Sequence, residues 1–233
     1  MVKEKVEQVP AASLVFDTSF YPRHVVDEQT VNEYKQSLRA GSELPPLLAD
    51  RKTRTLVDGK HRLMAWIGVA GNETLVPVIF RDYADERAMF IEAVEINARH
   101  GRRLTPFDKT RCFVLGERFG ITRTVMAKIL SITEGRLQQI EIQRIARDED
   151  GNPVPVKEPF QGFAQKEISP AQIQIQRHVG GMSLTYCINQ VMLFLEADIP
   201  DLYKPEMIAK LQRLHDATGK VIVQAERQLD VAA

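Results

Sequence analysis

The sequence predicts an α+β protein: a small mixed-sheet domain, then an all-helical segment, then further carboxy-terminal helices. Three observations carry this. Short β-like runs alternate with helical periods over the first hundred residues, only helical patterns follow Thr105, and a polar stretch with Pro153, Pro155 and Pro159 interrupts the helices. The expected organisation is a mixed-sheet domain at 1–104, a three-helix domain at 105–147, a linker at 148–168 and a helical region at 169–233.

Leu14-Val15-Phe16 is a short strand candidate, and Asp27 to Ala40 reads as an amphipathic helix with Val31, Tyr34 and Leu38 on one face. Pro45 to Asp50 and Thr55 to Asp58 read as strands joined by the basic turn Arg51-Lys52-Thr53-Arg54. His61 to Val69 is helical, and Leu75 to Phe80 is a strand that Pro77 places at an edge or a bulge. Ala84 to Ala98 is helical.

Thr105-Pro106-Phe107-Asp108 combines a hydroxyl cap, a proline at the first helical position and a first-turn acid, which predicts a helix running to Phe119 and stopping at Gly120. Thr122 starts a short helix through Leu130, and Ile132-Thr133 starts a third that uses Leu137, Ile140 and Ile145. Ser169-Pro170 repeats the cap-plus-proline start, and Gly180-Gly181 is a break. Ser183 to Leu195 is apolar on most sides and calls for cover nearly all round. Pro205 to Thr218 reads as a helix ending at Gly219.

Composition sets broad limits. The 233 residues are 44% hydrophobic and 27% charged, with a net charge of +0, so any affinity for a polyanion must be local. Cys112 and Cys187 read as two small buried hydrophobes, not as redox or zinc ligands. The charged amino terminus has no signal-peptide core, and no apolar run approaches the ~20 residues that span a bilayer. A cytoplasmic protein without membrane contact is expected. His24, His100, His178 and His215 show no metal-binding spacing, and Trp66 and Phe80 read as core.

Val57 to Trp66 is the most informative stretch: a strand meets Gly59, and a helix begins at once with Lys60, His61 and Arg62. Glycine permits a tight turn and close ligand approach, and a helix amino terminus presents unpaired N–H groups to a phosphate. Arg62 can engage two phosphate oxygens. A solvated basic turn fits the same residues. Asp58, the nearest acid, is a candidate base or magnesium ligand, or a structural turn acid.

The order Tyr21-Pro22-Arg23, the Asp27–Gly41 helix, Leu44-Pro45-Pro46-Leu47, Leu56 to Arg62 and Val76-Pro77-Val78-Ile79 resembles the amino-terminal domain of the ParB/sulfiredoxin-like superfamily. Gly59, Arg62 and Ala65 match the family box G-E-R-R-x-R-A, whereas Lys60, His61 and Met64 depart from it. The form Gly59-Lys60-His61-Arg62 is closer to the G-C-H-R of sulfiredoxins and the D-G-H-H-R of ParB-like serine kinases, which bind ATP or ADP there. Lys60 stands where sulfiredoxins have the reactive cysteine, so it cannot supply their thiolate. A second box, E-N-x-x-R, aligns at Asn97 with Ile96 and His100 in place of its charged residues, so Glu95 and Arg99 become the substitutes. The run Asn97 to Pro106 resembles StrR-type regulators and phage ParB-like proteins. The resemblance implies a nucleoside triphosphate, CTP or ATP with Mg2+, held by Gly59, Lys60, His61, Arg62, Glu95, Asn97 and Arg99.

Residues 121–140 fit a helix-turn-helix, with Ala127 as the small residue of the first helix and Ser131 replacing the usual turn glycine. Thr133, Glu134, Arg136, Gln138 and Gln139 can face a major groove, where arginine reads guanine and glutamine adenine. Arg123 and Lys128 join a local surplus of basic residues between Arg99 and Arg144. A plain three-helix bundle with a solvated face is the bland alternative, and either way Leu115, Met126, Ile129 and Leu137 are core.

These readings converge on a sequence-specific, nucleoid- or plasmid-associated protein that binds double-stranded DNA, acting in transcription regulation or in plasmid or phage partition. It would be a homodimer joined through its carboxy-terminal helices. The alternative is an enzyme, a nucleotide-dependent phosphotransferase, a CTPase-like hydrolase or a nuclease, using the loop from Asp58 to Arg62.

Overall fold

The structure is a computed structural model and describes residues 5–99, 103–180 and 182–232. His100, Gly101, Arg102 and Gly181, which the sequence reading invoked, lie outside them. The chain divides into two compact units, 1–181 and 182–233.

The first unit is built on a four-stranded mixed sheet, ordered β1-β4-β2-β3. Its strands are β1 (Val6–Pro10), β2 (Leu47–Asp50), β3 (Leu56–Asp58) and β4 (Leu75–Arg81). β4 pairs antiparallel with β1 and parallel with β2, and β2 pairs antiparallel with β3. Strand alternation sends Leu47, Ala49, Leu56, Val76, Val78 and Phe80 to one face, where Leu63, Trp66 and Ile67 of α2 (Lys60–Ala70) cover them. Leu48 and Val57 point to the other face, against Met89, Phe90 and Val94 of α3 (Glu86–Arg99). Helix α1 (Glu28–Arg39), capped by the Asp27 carboxylate on the Thr30 N–H, packs on α2.

The second apolar cluster continues without a gap into α4 (Pro106–Arg118), α5 (Arg123–Ile129) and α6 (Glu134–Arg144) through Phe113, Leu115, Met126, Ile129 and Leu137. The change of element type at 104/105 is therefore not a gap in packing. Thr105 and Asp108 form a reciprocal capping box on α4, and Gly120 ends that helix with φ +63°. Cys112 is buried, and burial pushes its thiol pKa up. Cys187, expected to be buried too, is half-exposed.

Several elements differ from the sequence reading, each for a non-local reason. The polar-looking amino terminus supplies edge strand β1, because β4 offers it an unpaired side. β4 is therefore internal, not an edge. β2 begins pairing only at Val78, so Pro77 falls where the strand has a single partner, Gln8 of β1. Leu14 to Phe16 makes only an isolated bridge, Val15 to Thr55. Ile145 does not extend α6 but opens β5 (Ile145–Arg147), which pairs antiparallel with β6 (Pro153–Pro155).

The stretch expected as a linker, 148–168, thus contains a hairpin strand and a 3-10 segment, Glu158–Phe163. Ala146, Val156 and Ile168 form a small buried cluster there, backed by Phe160 and Ile173. Helix α7 (Pro170–His178) follows, with Ser169 and Gln172 in a capping box.

The second unit consists of α8 (Leu184–Glu196), a short 3-10 turn and α9 (Pro205–Ala232). α9 runs through Gly219 instead of stopping there. The helical cost of one glycine is about 1 kcal/mol, small enough for a helix of 28 residues to carry. α8, expected to be covered nearly all round, has no buried residue. Among the described residues no helix is long and apolar enough to cross a membrane.

Candidate functional site

The junction of β3 and α2 forms a cleft of about 450 Å³, lined by Tyr21, Arg23, Tyr34, Asp58, Asn97 and the run from Gly59 to Arg62. Gly59 caps α2 with φ +102°, a left-handed conformation. A Cβ there would lie 2.4 Å from Leu47 Cδ2 and 3.1 Å from Arg62 Nη2, so the position has neither the space nor the backbone for a side chain.

Arg62 is spent inward. Its Nη1 donates to the Pro45 and Pro46 carbonyls, both at 2.8 Å, and its Nη2 meets Asp58 Oδ2 at 2.7 Å. Both side chains are largely buried, 14% and 22% exposed. Three of its five N–H donors are thereby committed to protein groups, so two remain for a ligand. Asp58 Oδ1 accepts at 3.5 Å from Asn97 Nδ2, and Asn97 Oδ1 accepts at 2.9 Å from Arg23 Nε. A polar chain, Arg23–Asn97–Asp58–Arg62, thus ties α3 to the α2 loop. Asp58 is part of that chain, as a structural turn acid would be.

The other loop residues have separate tasks. The His61 Nε2 accepts the Asp27 N–H at 3.0 Å, which makes it an acceptor and joins α2 to the cap of α1. The Lys60 ammonium lies 3.6 Å above the Phe16 ring, and burial lowers its pKa. The Lys60 N–H donates to the Tyr21 hydroxyl, whose pKa is raised by burial first and by Asp58 second. Glu95 and Arg99 do not line the cleft; they pair with each other at 3.6 Å along α3. The structure therefore brings Gly59, Lys60, His61, Arg62 and Asn97 together and leaves those two aside.

Tyr21, Arg23 and Tyr34 are the cleft residues that the sequence reading did not assign. Tyr21-Pro22-Arg23 stood at the head of the ordered family motifs, so order along the chain was the available signal. Removing the Asp58 carboxylate strands two donors. Asp58→Ala should cost about 2 kcal/mol, less than the 3–5 typical of a fully buried pair because both side chains keep some solvent. Urea unfolding measures it, and an unchanged midpoint would show that the polar chain carries no stability.

The second candidate region is the pair α5 and α6. Leu130 to Thr133 turns between them, with Ser131 at φ +54° in the conformation that a glycine adopts more readily. Thr133 caps α6 by accepting the Arg136 N–H. Leu137 and Ile140 are buried while Thr133, Glu134, Arg136, Gln138 and Gln139 are exposed, so α6 presents a polar face outward. The Arg136 Nη1 donates to Gln139 Oε1 at 2.8 Å. Arg123 meets Glu141 at 2.7 Å, bracing α5 against α6, and Lys128 is exposed.

Residues 1–96 match the family model described as the ParB N-terminal domain. These first 96 residues are thus similar to a ParB N-terminal domain. Over 63 residues it is 40% identical to the transcriptional regulator NovG of Streptomyces niveus, a match covering 27% of this chain and 19% of that protein. Solved ParB structures are similar over larger spans. The C-terminally truncated chromosome-partitioning protein ParB of Caulobacter crescentus, complexed to the centromeric parS site, is 20% identical over 57% of this chain and 69% of its own, with a TM-score of 0.42. The same protein complexed with CTP-gamma-S is 19% identical over 58% and 76%, with a TM-score of 0.35. A pNOB8-like ParB N-domain is 24% identical over 66% and 57%, also with a TM-score of 0.35. The ParB-like match thus falls on the sheet, α1, α2 and most of α3, which build the cleft.

Proposed function

We propose that this ParB-like chain is a sequence-specific DNA-binding protein acting as a homodimer in transcription regulation or partition, with a nucleoside triphosphate in the Gly59 cleft. The observation that carries the reading is α6. A helix held by Leu137 and Ile140 on one side offers Thr133, Arg136, Gln138 and Gln139 on the other. With α5 and the Ser131 turn it makes a helix-turn-helix, whose second helix can enter a major groove. Arginine and glutamine at adjacent turns suit guanine and adenine edges, and Arg123 and Lys128 suit backbone phosphates. The NovG relative is named a transcriptional regulator.

The cleft residues fit a nucleotide. Arg23 and Lys60 line the cleft with positive charge, and Tyr21 and Tyr34 line it with aromatic side chains. Either CTP or ATP has the right chemistry. Magnesium carried by the phosphates would meet one lining carboxylate, Asp58. The dimer would be formed through α8 and α9, which carry exposed apolar residues such as Leu184, Phe194 and Ile222.

The test uses duplexes selected from genomic fragments by the full-length protein, with binding followed by fluorescence anisotropy at two salt concentrations. Arg136→Ala should weaken the selected duplex about 10- to 100-fold, in line with losing one paired base contact, and a scrambled duplex less than about threefold. Equal losses on both, or no DNA binding by the wild type, would overturn the reading role. Absence of CTP and ATP binding in a calorimetric titration would remove the nucleotide from it.

A further inference from the structure

A second cavity, of about 590 Å³, shares Arg23 and His61 with the cleft but otherwise has its own walls. They come from residues 23–28, the start of α4, the end of α6, Lys157 with Glu158, and the end of α7. Arg23, His24, Arg144, Lys157, Arg177 and His178 all line it. Four acids line it too, yet two are already committed. Asp27 accepts from Thr30, and Asp108 accepts from Thr105 and from the His24 N–H at 2.9 Å. Glu28 and Glu158 are exposed to solvent, as are Arg177 and His178.

The Lys157 ammonium is fixed by the Val179 carbonyl at 2.6 Å and the Arg177 carbonyl at 3.4 Å, and the residue is only 8% exposed. It is therefore a positioned charge at the wall. Much of the remaining lining is apolar: Phe107, edge-on to the His24 ring at 4.9 Å, with Val25, Pro106 and Val179. A space of this volume, with cations converging beside an apolar wall, has the make-up of a small-molecule site.

We propose that this cavity binds a small phosphorylated organic molecule, its phosphate held by Arg177, His178 and Lys157 and its organic body against Phe107 and the valines. An open groove would suit a duplex backbone. Here Arg177, His178 and Lys157 share one cavity with Phe107 and the valines, which favours a compact ligand with both a phosphate and an apolar body.

Phenyl phosphate is the probe, titrated calorimetrically into the full-length protein beside inorganic phosphate. Phenyl phosphate should bind at least about fivefold more tightly, because inorganic phosphate cannot use the apolar wall. Arg177→Ala and His178→Ala, both at exposed positions, should each weaken it about tenfold. Tyr34→Ala, in the cleft, should leave it unchanged. Three results would overturn the proposal: no binding by the wild type; loss in Tyr34→Ala without loss in Arg177→Ala, which would assign the probe to the cleft; or weaker binding of a generic duplex by Arg177→Ala with phenyl phosphate unaffected, which would make the cations a backbone contact.

Discussion

Gly59→Ala is expected to destabilise the first unit by about 2–5 kcal/mol. Two costs combine. Holding a non-glycine residue in the left-handed region costs roughly 1–2 kcal/mol. Forcing a Cβ to 2.4 Å from Leu47 Cδ2 adds roughly 1–3, because Leu47 is fully buried in a packed core. A small domain is stable by only about 5–15 kcal/mol, so the variant would lose a large share of it. Urea titration by circular dichroism should show a lower midpoint with an unchanged slope. A shift under about 0.5 kcal/mol would mean that the strand-to-helix turn relaxes freely, and the account of the cleft as a rigid cradle would fail.

Deleting 182–233 is expected to turn a dimer into a monomer and to weaken binding to a two-half-site duplex by 100-fold or more. The shortened chain keeps every element of the first unit with its buried clusters, so it should stay folded. What it loses is α8, where Leu184, Ile188, Phe194 and Leu195 are 44–61% exposed, and α9, about 42 Å long at 1.5 Å per residue. Within the second unit these side chains stay exposed. A second copy supplies the same surface again, in the self-complementary manner of a two-fold interface. Linking two DNA-binding modules raises apparent affinity by 10²–10⁴. Light scattering reads the mass and anisotropy the affinity. A full-length monomer, or a truncated chain with undiminished affinity, would refute the scheme.

What the sequence disclosed was what short stretches decide. The capping boxes at Thr105 and Ser169, the Gly59 turn and the Leu137/Ile140 face of α6 each rest on residues within one or two turns, and their chemistry is visible in a line of letters. β1 was missed because Val6–Pro10 becomes a strand only when β4 lies beside it. Pro77 pointed to an edge because sheet order cannot be read from one strand. The hairpin of β5 and β6 hid in a polar, proline-rich segment whose three buried residues, Ala146, Val156 and Ile168, are far apart in sequence. In the cleft, Gly59 announced itself, while the Arg23–Asn97 contact joins residues 74 positions apart. Arg62 looked like a ligand-binding group because the Pro45 and Pro46 carbonyls that occupy it are 17 and 16 residues away.

The passage of α6 straight into β5 constrains how this protein could select its targets. With Ile145 buried and its carbonyl accepting from the Gln165 N–H, α6 is anchored at its carboxy-terminal end, so on the proposed reading it would enter a groove as a fixed rod. Discrimination among operators would then fall to the reach of individual side chains and to the willingness of the double helix to bend toward them.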